Sequence, residues 1–169
     1  MRAGRETGRP TRPGPEPGPS LPAPTARPGA RALLVEDERV VGDLLAEFLT
    51  LEGYEVDQAM DGRQALELVQ RRTYALIVSD VRMPDVDGPA LYRELQLASP
   101  ELARRMVFVT GDVVSPETRR FLEETRLRYL EKPFTIVEFQ TVVRSLGAEA
   151  PPPGEPGPGP AGSHPRRPT

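Results

Sequence analysis

Five polar residues stand in this 169-residue sequence where chemistry could be done: Glu36, Asp37, Asp80, Thr110 and Lys132. Each closes or comes just after a short apolar run. Glu36-Asp37 succeeds ALLV, Asp80 succeeds YALIVS, Thr110 closes MVFVT, and Lys132 comes just after RYL. A carboxylate at the tip of a run built for burial is costly unless something pairs with it. Were the five gathered together, three carboxylates would repel one another and one ammonium could not offset them all. A hard divalent cation could. Mg²⁺ prefers carboxylate, carbonyl and water oxygens and serves phosphoryl chemistry. In such a site Asp80 suits a carboxylate nucleophile, Lys132 a point charge for phosphate, and Thr110 a hydrogen-bond donor. Lys132 is also the sole lysine against 21 arginines.

Taken singly, each residue has an ordinary reading. Glu36-Asp37 could be a solvated turn opening a helix with the favourable dipole sign, Thr110 a strand former, and Lys132 a surface lysine. Their combination is what counts, and it depends on the elements that carry them. ALLVE (32–36) suits a buried strand. Val40, Val41, Leu44, Leu45, Phe48 and Leu49 then recur at helical spacing until Gly53. A more polar strand at 54–58, nearer an edge, precedes a helix marked by Ala65, Leu68 and Val69. A third strand is expected at 74–79, and a helix from about Pro89 to Leu97 behind an Asp87-Gly88 turn and cap. MVFVT (106–110) is a fourth buried strand. Ser115-Pro116-Glu117 reads as N-cap, first helical position and acidic first turn, with Phe121 and Leu122 on that helix's apolar side. Arg128 to Leu130 is a short fifth strand. A last helix carries Ile136, Phe139, Val142, Val143 and Leu146 on one face. Strict alternation of this kind predicts a parallel sheet covered on both faces with right-handed crossovers. The expected form is a flavodoxin-like doubly wound (βα)5 fold, strand order 2-1-3-4-5, whose ligand site lies beyond the carboxyl ends of the strands.

The residues that end those strands, with Met83-Pro84, Asp87-Gly88 and Lys132-Pro133, resemble the receiver domain of two-component response regulators over 31–147. The resemblance implies that Asp80 is a phospho-acceptor. Asp37 and Asp80 would bind Mg²⁺ directly, Glu36 largely through water, and the backbone carbonyl of Arg82 would complete the protein ligands. Lys132 would contact the phosphoryl group and Thr110 would move to hydrogen-bond it. Tyr129 matches an aromatic switch position that turns inward with Thr110. The Lys132–Pro133 bond would be cis. Arg82 and Asp112 fall at positions that flank the approach of water to the acceptor, where an Arg/Asp pair could bridge the site. On this reading the protein is a single-domain response regulator, not an enzyme proper. Its partners would be a cognate histidine kinase or phosphotransfer protein and a downstream protein target met through the helix after Ser115, the fifth strand and the last helix. A homodimer formed on phosphorylation stays open.

Other classes fit less well. A receiver module derived from a hybrid histidine kinase is the nearest variant. An aspartyl-nucleophile phosphohydrolase wants a second acid two residues after the nucleophile, where Arg82 stands, and a cap domain. An EF-hand reading of 80–88 fails because Arg82 and Pro84 occupy ligand positions. No cysteine is present and the one histidine, His164, lies in a terminal segment, which removes the usual zinc and triad readings. Residues 1–30 and 148–169 each hold 8 of the 21 prolines and show no apolar period, so both are expected as disordered tails. The first tail is basic and the second balanced, which leaves the core at −6 of the chain's −3. An acidic core argues against nucleic-acid binding by the core. The lack of a long apolar run argues against a membrane span and for a cytoplasmic place.

Overall fold

The structure, a computed structural model, describes Ala26 and residues 28–147. The two expected tails otherwise lie outside the described residues. Five parallel strands, β1 (Arg31–Val35), β2 (Glu55–Ala59), β3 (Leu76–Asp80), β4 (Met106–Thr110) and β5 (Arg128–Glu131), form one sheet in the order β2-β1-β3-β4-β5. Helices α1 (Arg39–Leu51), α2 (Gly62–Arg71), α3 (Gly88–Ala98), the one-turn α4 (Pro100–Ala103), α5 (Pro116–Thr125) and α6 (Ile136–Gly147) cover it. This is the expected doubly wound fold.

The inner strands read as continuous apolar runs because both of their faces are buried. Side chains alternate between two cores, as the pleat requires. Ala32, Leu34, Leu76, Val78, Val107 and Val109 pack with Leu45 and Leu49 of α1 and Phe139 and Val143 of α6. Leu33, Val35, Ile77, Met106 and Phe108 pack instead with α2, α3 and α5 through Ala65, Leu91, Leu95 and Leu122. β2 and β5 each pair on one side only, and their burial is correspondingly patchy.

Two expectations are corrected. The third strand runs from Leu76 through Asp80, so Asp80 is its last residue and Tyr74 and Ala75 precede it. Tyr74 is buried by packing and bonds Asp57 through its hydroxyl rather than joining the ladder. The short helix α4 stands between α3 and β4, where the apolar pattern predicts none. The body also reaches slightly before Arg31: Ala26 and Ala30 pack on the core, and Ala26 N donates to the Glu52 carbonyl. Among the described residues no helix is long and apolar enough to cross a membrane.

Candidate functional site

Every strand of the sheet points its carboxyl end the same way, so the segments after β1, β3, β4 and β5 meet at one edge. Glu36 and Asp37 leave β1 just ahead of α1, Asp80 closes β3, and Lys132 comes directly after β5. One carboxylate oxygen from each of Glu36, Asp37 and Asp80 can be chosen so that all three lie within 4.8 Å of one another. Lys132 Nζ donates to Glu36 Oε2 at 3.0 Å and to Asp80 Oδ2 at 3.1 Å. Glu36 is only 2% exposed, and its other oxygen accepts from the Glu38 backbone N–H. Asp80 is buried as well, with Oδ1 accepting from the Arg82 backbone N–H at 3.1 Å.

Burial first, and then repulsion from Asp80, raise the Glu36 carboxyl above its ordinary range despite the bond and attraction of Lys132. Burial would lower Lys132, but its bonds and attraction to Glu36 and Asp80 prevail, and the ammonium is held more firmly than usual. The cluster is therefore short of positive charge: three acids face one ammonium. Oxygen donors of that kind, close together and under-compensated, suit a hard divalent cation.

Thr110 ends β4 beside Asp80, since Asp80 is in register with Val109. Its hydroxyl oxygen accepts from the Asp112 N–H at 3.1 Å, and its carbonyl accepts from the Lys132 N–H at 2.8 Å. Arg82 turns its side chain to Asp112, with Nη2 at 2.5 Å from Oδ2. The Arg/Asp bridge between the ends of β3 and β4 is thus present. The Lys132–Pro133 bond is cis. Tyr129 is not part of the acidic cluster. It is 48% exposed and lines, with Val113, Arg119, Leu122 and Glu123, a cavity of about 340 Å³ between α5 and β5.

Two glycines matter more than their place in turns suggests. A Cβ at Gly88 would lie 2.5 Å from the Asp80 carbonyl oxygen, and one at Gly62 would lie 2.5 Å from that of Val86. The loop after β3 is therefore pressed against both the strand it leaves and the start of α2. Asp87 caps α3 by accepting from the Ala90 N–H, which confirms the expected turn and cap.

Residues 32–144 match the family model of the response regulator receiver domain. The sensor kinase CckA of Brucella abortus is 34% identical over 119 residues, covering 69% of this chain and 12% of that protein. The response regulator MprA of Mycolicibacterium vanbaalenii is 36% identical over 116 residues, 69% of this chain and 49% of that one. The chain thus spans half or less of the length of these relatives. Among solved structures, the receiver domain of the sensor histidine kinase PA1611 from Pseudomonas aeruginosa, with magnesium coordinated in its active-site cleft, is 31% identical with a TM-score of 0.62. The match covers 71% of this chain and 98% of that one. The response regulator TrrA of Thermotoga maritima, in complex with Mg²⁺ and beryllium fluoride, is 29% identical with a TM-score of 0.61, covering 69% and 98%. Sheet order, the acidic cluster at its carboxyl edge and a family match over nearly the whole described body agree, and the chain belongs to the response regulator receiver domains of two-component systems.

Proposed function

We propose that this receiver takes a phosphoryl group on Asp80 from the phosphohistidine of a histidine kinase or phosphotransfer protein, in a Mg²⁺-dependent reaction. The observation that carries the reading is the convergence of Glu36, Asp37 and Asp80 around a single ammonium, Lys132. Glu36, Asp37, Asp80 and the Arg82 backbone carbonyl are the groups to hold Mg²⁺, which when bound supplies positive charge to offset the acids and the transferring phosphoryl group.

An Asp80 carboxylate oxygen attacks phosphorus, the phosphorus–nitrogen bond breaks, and the imidazole leaves with the electron pair. Lys132 already bonds Asp80 Oδ2, and holds positive charge where the phosphoryl oxygens arrive. Thr110 then turns its hydroxyl toward the phosphoryl group. Tyr129, half-exposed beside the 340 Å³ cavity, turns inward with it. The added charge of nearly −2 biases this two-state element. The protein acts as a cytoplasmic switch that assists only its own phosphorylation and dephosphorylation, and it signals through protein contacts on α5, β5 and α6, with a phosphorylation-dependent homodimer as one form of output. The likeness to a segment of a sensor kinase supports a second setting for the same chemistry, a receiver derived from a hybrid kinase.

Intact mass spectrometry after incubation with acetyl phosphate and Mg²⁺ tests this. Wild type gains one phosphoryl group, Asp80→Asn gains none, and Lys132→Ala is slowed by roughly tenfold or more. Wild type that stays unmodified, or Asp80→Asn that is modified equally, overturns it.

A further inference from the structure

The bridge between Arg82 and Asp112 is tied to more than its own two charges. Arg82 is anchored at the acceptor, because its backbone N–H donates to Asp80 Oδ1. Asp112 is anchored on the opposite side. Its N–H donates to Thr110 Oγ1, and its Oδ1 accepts from the Ser115 N–H at 3.0 Å. Ser115 is the N-cap of α5, its Oγ accepting from the Thr118 N–H at 3.2 Å. A continuous polar chain therefore runs from Asp80 through Arg82 and Asp112 to the first turn of α5.

Resting on the phospho-acceptor reading above, we propose that Arg82 is a further phosphoryl-binding residue. Asp112 holds it in reserve, and it exchanges that carboxylate for the phosphoryl group on Asp80, releasing the start of α5. The ion pair is exposed, 59% for Arg82 and 31% for Asp112, so it is screened and weakly held. A phosphoryl group two residues away offers a larger negative charge and several acceptor oxygens. Guanidinium forks bind such groups with paired hydrogen bonds. Once Arg82 leaves, Asp112 keeps its bonds from Ser115 and Val114 and the contact of its N–H with Thr110. Those are the bonds that movement of Thr110 would disturb. The exchange thus couples the acceptor to α5 by a path that does not pass through Tyr129.

The two partners compete for one guanidinium, so their removal has opposite effects on phosphoryl affinity. The test uses the full chain with beryllium fluoride and Mg²⁺ as the phosphoryl mimic. Wild type, Arg82→Ala, Arg82→Lys and Asp112→Asn are compared by amide and arginine Nε NMR. Asn at 112 retains an oxygen for the Ser115 N–H, and urea midpoints check that each variant is folded. In wild type the Arg82 Nε resonance and the Ser115 amide both shift when the mimic binds. Arg82→Ala weakens mimic binding about tenfold, Arg82→Lys recovers part of it, and Asp112→Asn tightens it severalfold. A purely structural role for the pair would weaken binding in every variant. If wild type binds the mimic and Asp112→Asn is no tighter, the exchange is wrong and the acceptor reading survives. If wild type binds no mimic, both fall.

Discussion

A side chain at Gly88 would have to displace the very atoms that place Asp80. Its Cβ would meet the Asp80 carbonyl at 2.5 Å, Phe108 Cε1 at 2.8 Å and Val81 Cα at 3.0 Å, two of them backbone atoms with little freedom to move. Gly88→Ala is expected to cost about 1–3 kcal/mol, the range for overpacking, and to weaken Mg²⁺ binding by shifting the end of β3. A urea midpoint and a Mg²⁺ titration check both, and an unchanged pair of values would show that the loop yields freely. Glu36 gives a prediction of opposite sign. Its carboxyl is raised in the fold chiefly by burial, so its ionised form disfavours the native state at neutral pH. Glu36→Gln should therefore raise the urea midpoint without divalent cation while reducing the further gain on adding Mg²⁺. A lower midpoint would mean that the bond to Lys132 outweighs burial. At this scale residue types are legible in sequence and their interactions less so. Asp80, Glu36 and Lys132 can be found because a charge closing an apolar run is conspicuous. The close approach at Gly88 cannot, since a turn glycine and a crowded glycine look alike in sequence.

Among the elements, the edge strand β2 is fastened by charge as well as by the burial of Ala59 and Val56. Asp57 on β2 accepts from the Tyr74 hydroxyl at 2.8 Å and from Arg72 at 2.7 Å, with Arg31 of β1 at 3.7 Å. Burial alone would raise the Asp57 carboxyl, but the bonds from Tyr74 and Arg72 prevail and hold it below its ordinary 3.8. Tyr74 is pushed up to about 12, first by burial and then by Asp57. A carboxyl lowered in the fold stabilises it fully above the unfolded value, and that contribution disappears as pH falls through the native one. Tyr74→Phe should cost about 1 kcal/mol at neutral pH, and its gap from wild type should narrow as pH drops below 3.8. Urea midpoints across that range decide it; a constant gap would mean that Asp57 plays no part. The same residues explain why sequence misplaces the third strand. Tyr74 extends the apolar run without joining the ladder, while the Ala75 N–H gives a bond to the Arg31 carbonyl ahead of the strand; an apolar run reports burial, not ladder pairing. Helix α4, which the apolar pattern misses, does leave a signal. Ser99-Pro100-Glu101 repeats the pattern of Ser115-Pro116-Glu117, but only one turn forms before β4.

For the whole molecule, the two cores and the open edge have one origin. Alternating side chains seal both faces of the sheet, so the carboxyl ends of the strands are where polar groups from distant sequence can meet without breaking a core. That is why strict alternation of apolar runs and helical periods foretells both the sheet order and the meeting of Glu36, Asp80 and Lys132. What the pattern cannot supply is orientation. Thr110 bonds Asp112 rather than the acids, and Tyr129 faces outward, because rotamers depend on neighbours that linear spacing does not specify. The convergence also leaves a charge imbalance, three carboxylates against one ammonium, that folding alone must sustain. A cation bound only by the folded state stabilises it by mass action, about 2.7 kcal/mol at a hundredfold excess over its dissociation constant. In a domain of this size that is on the order of 10 °C in melting temperature. Mg²⁺ should raise the midpoint by that much and a chelator should reverse it, with sodium chloride at equal ionic strength as the control for screening. Asp37→Asn should lose most of the gain, because Asp37 supplies an acid to the cluster without bonding Lys132. If Asp37→Asn gains as much as wild type, the cation acts on the general acidity of the core and the three carboxylates form no common site.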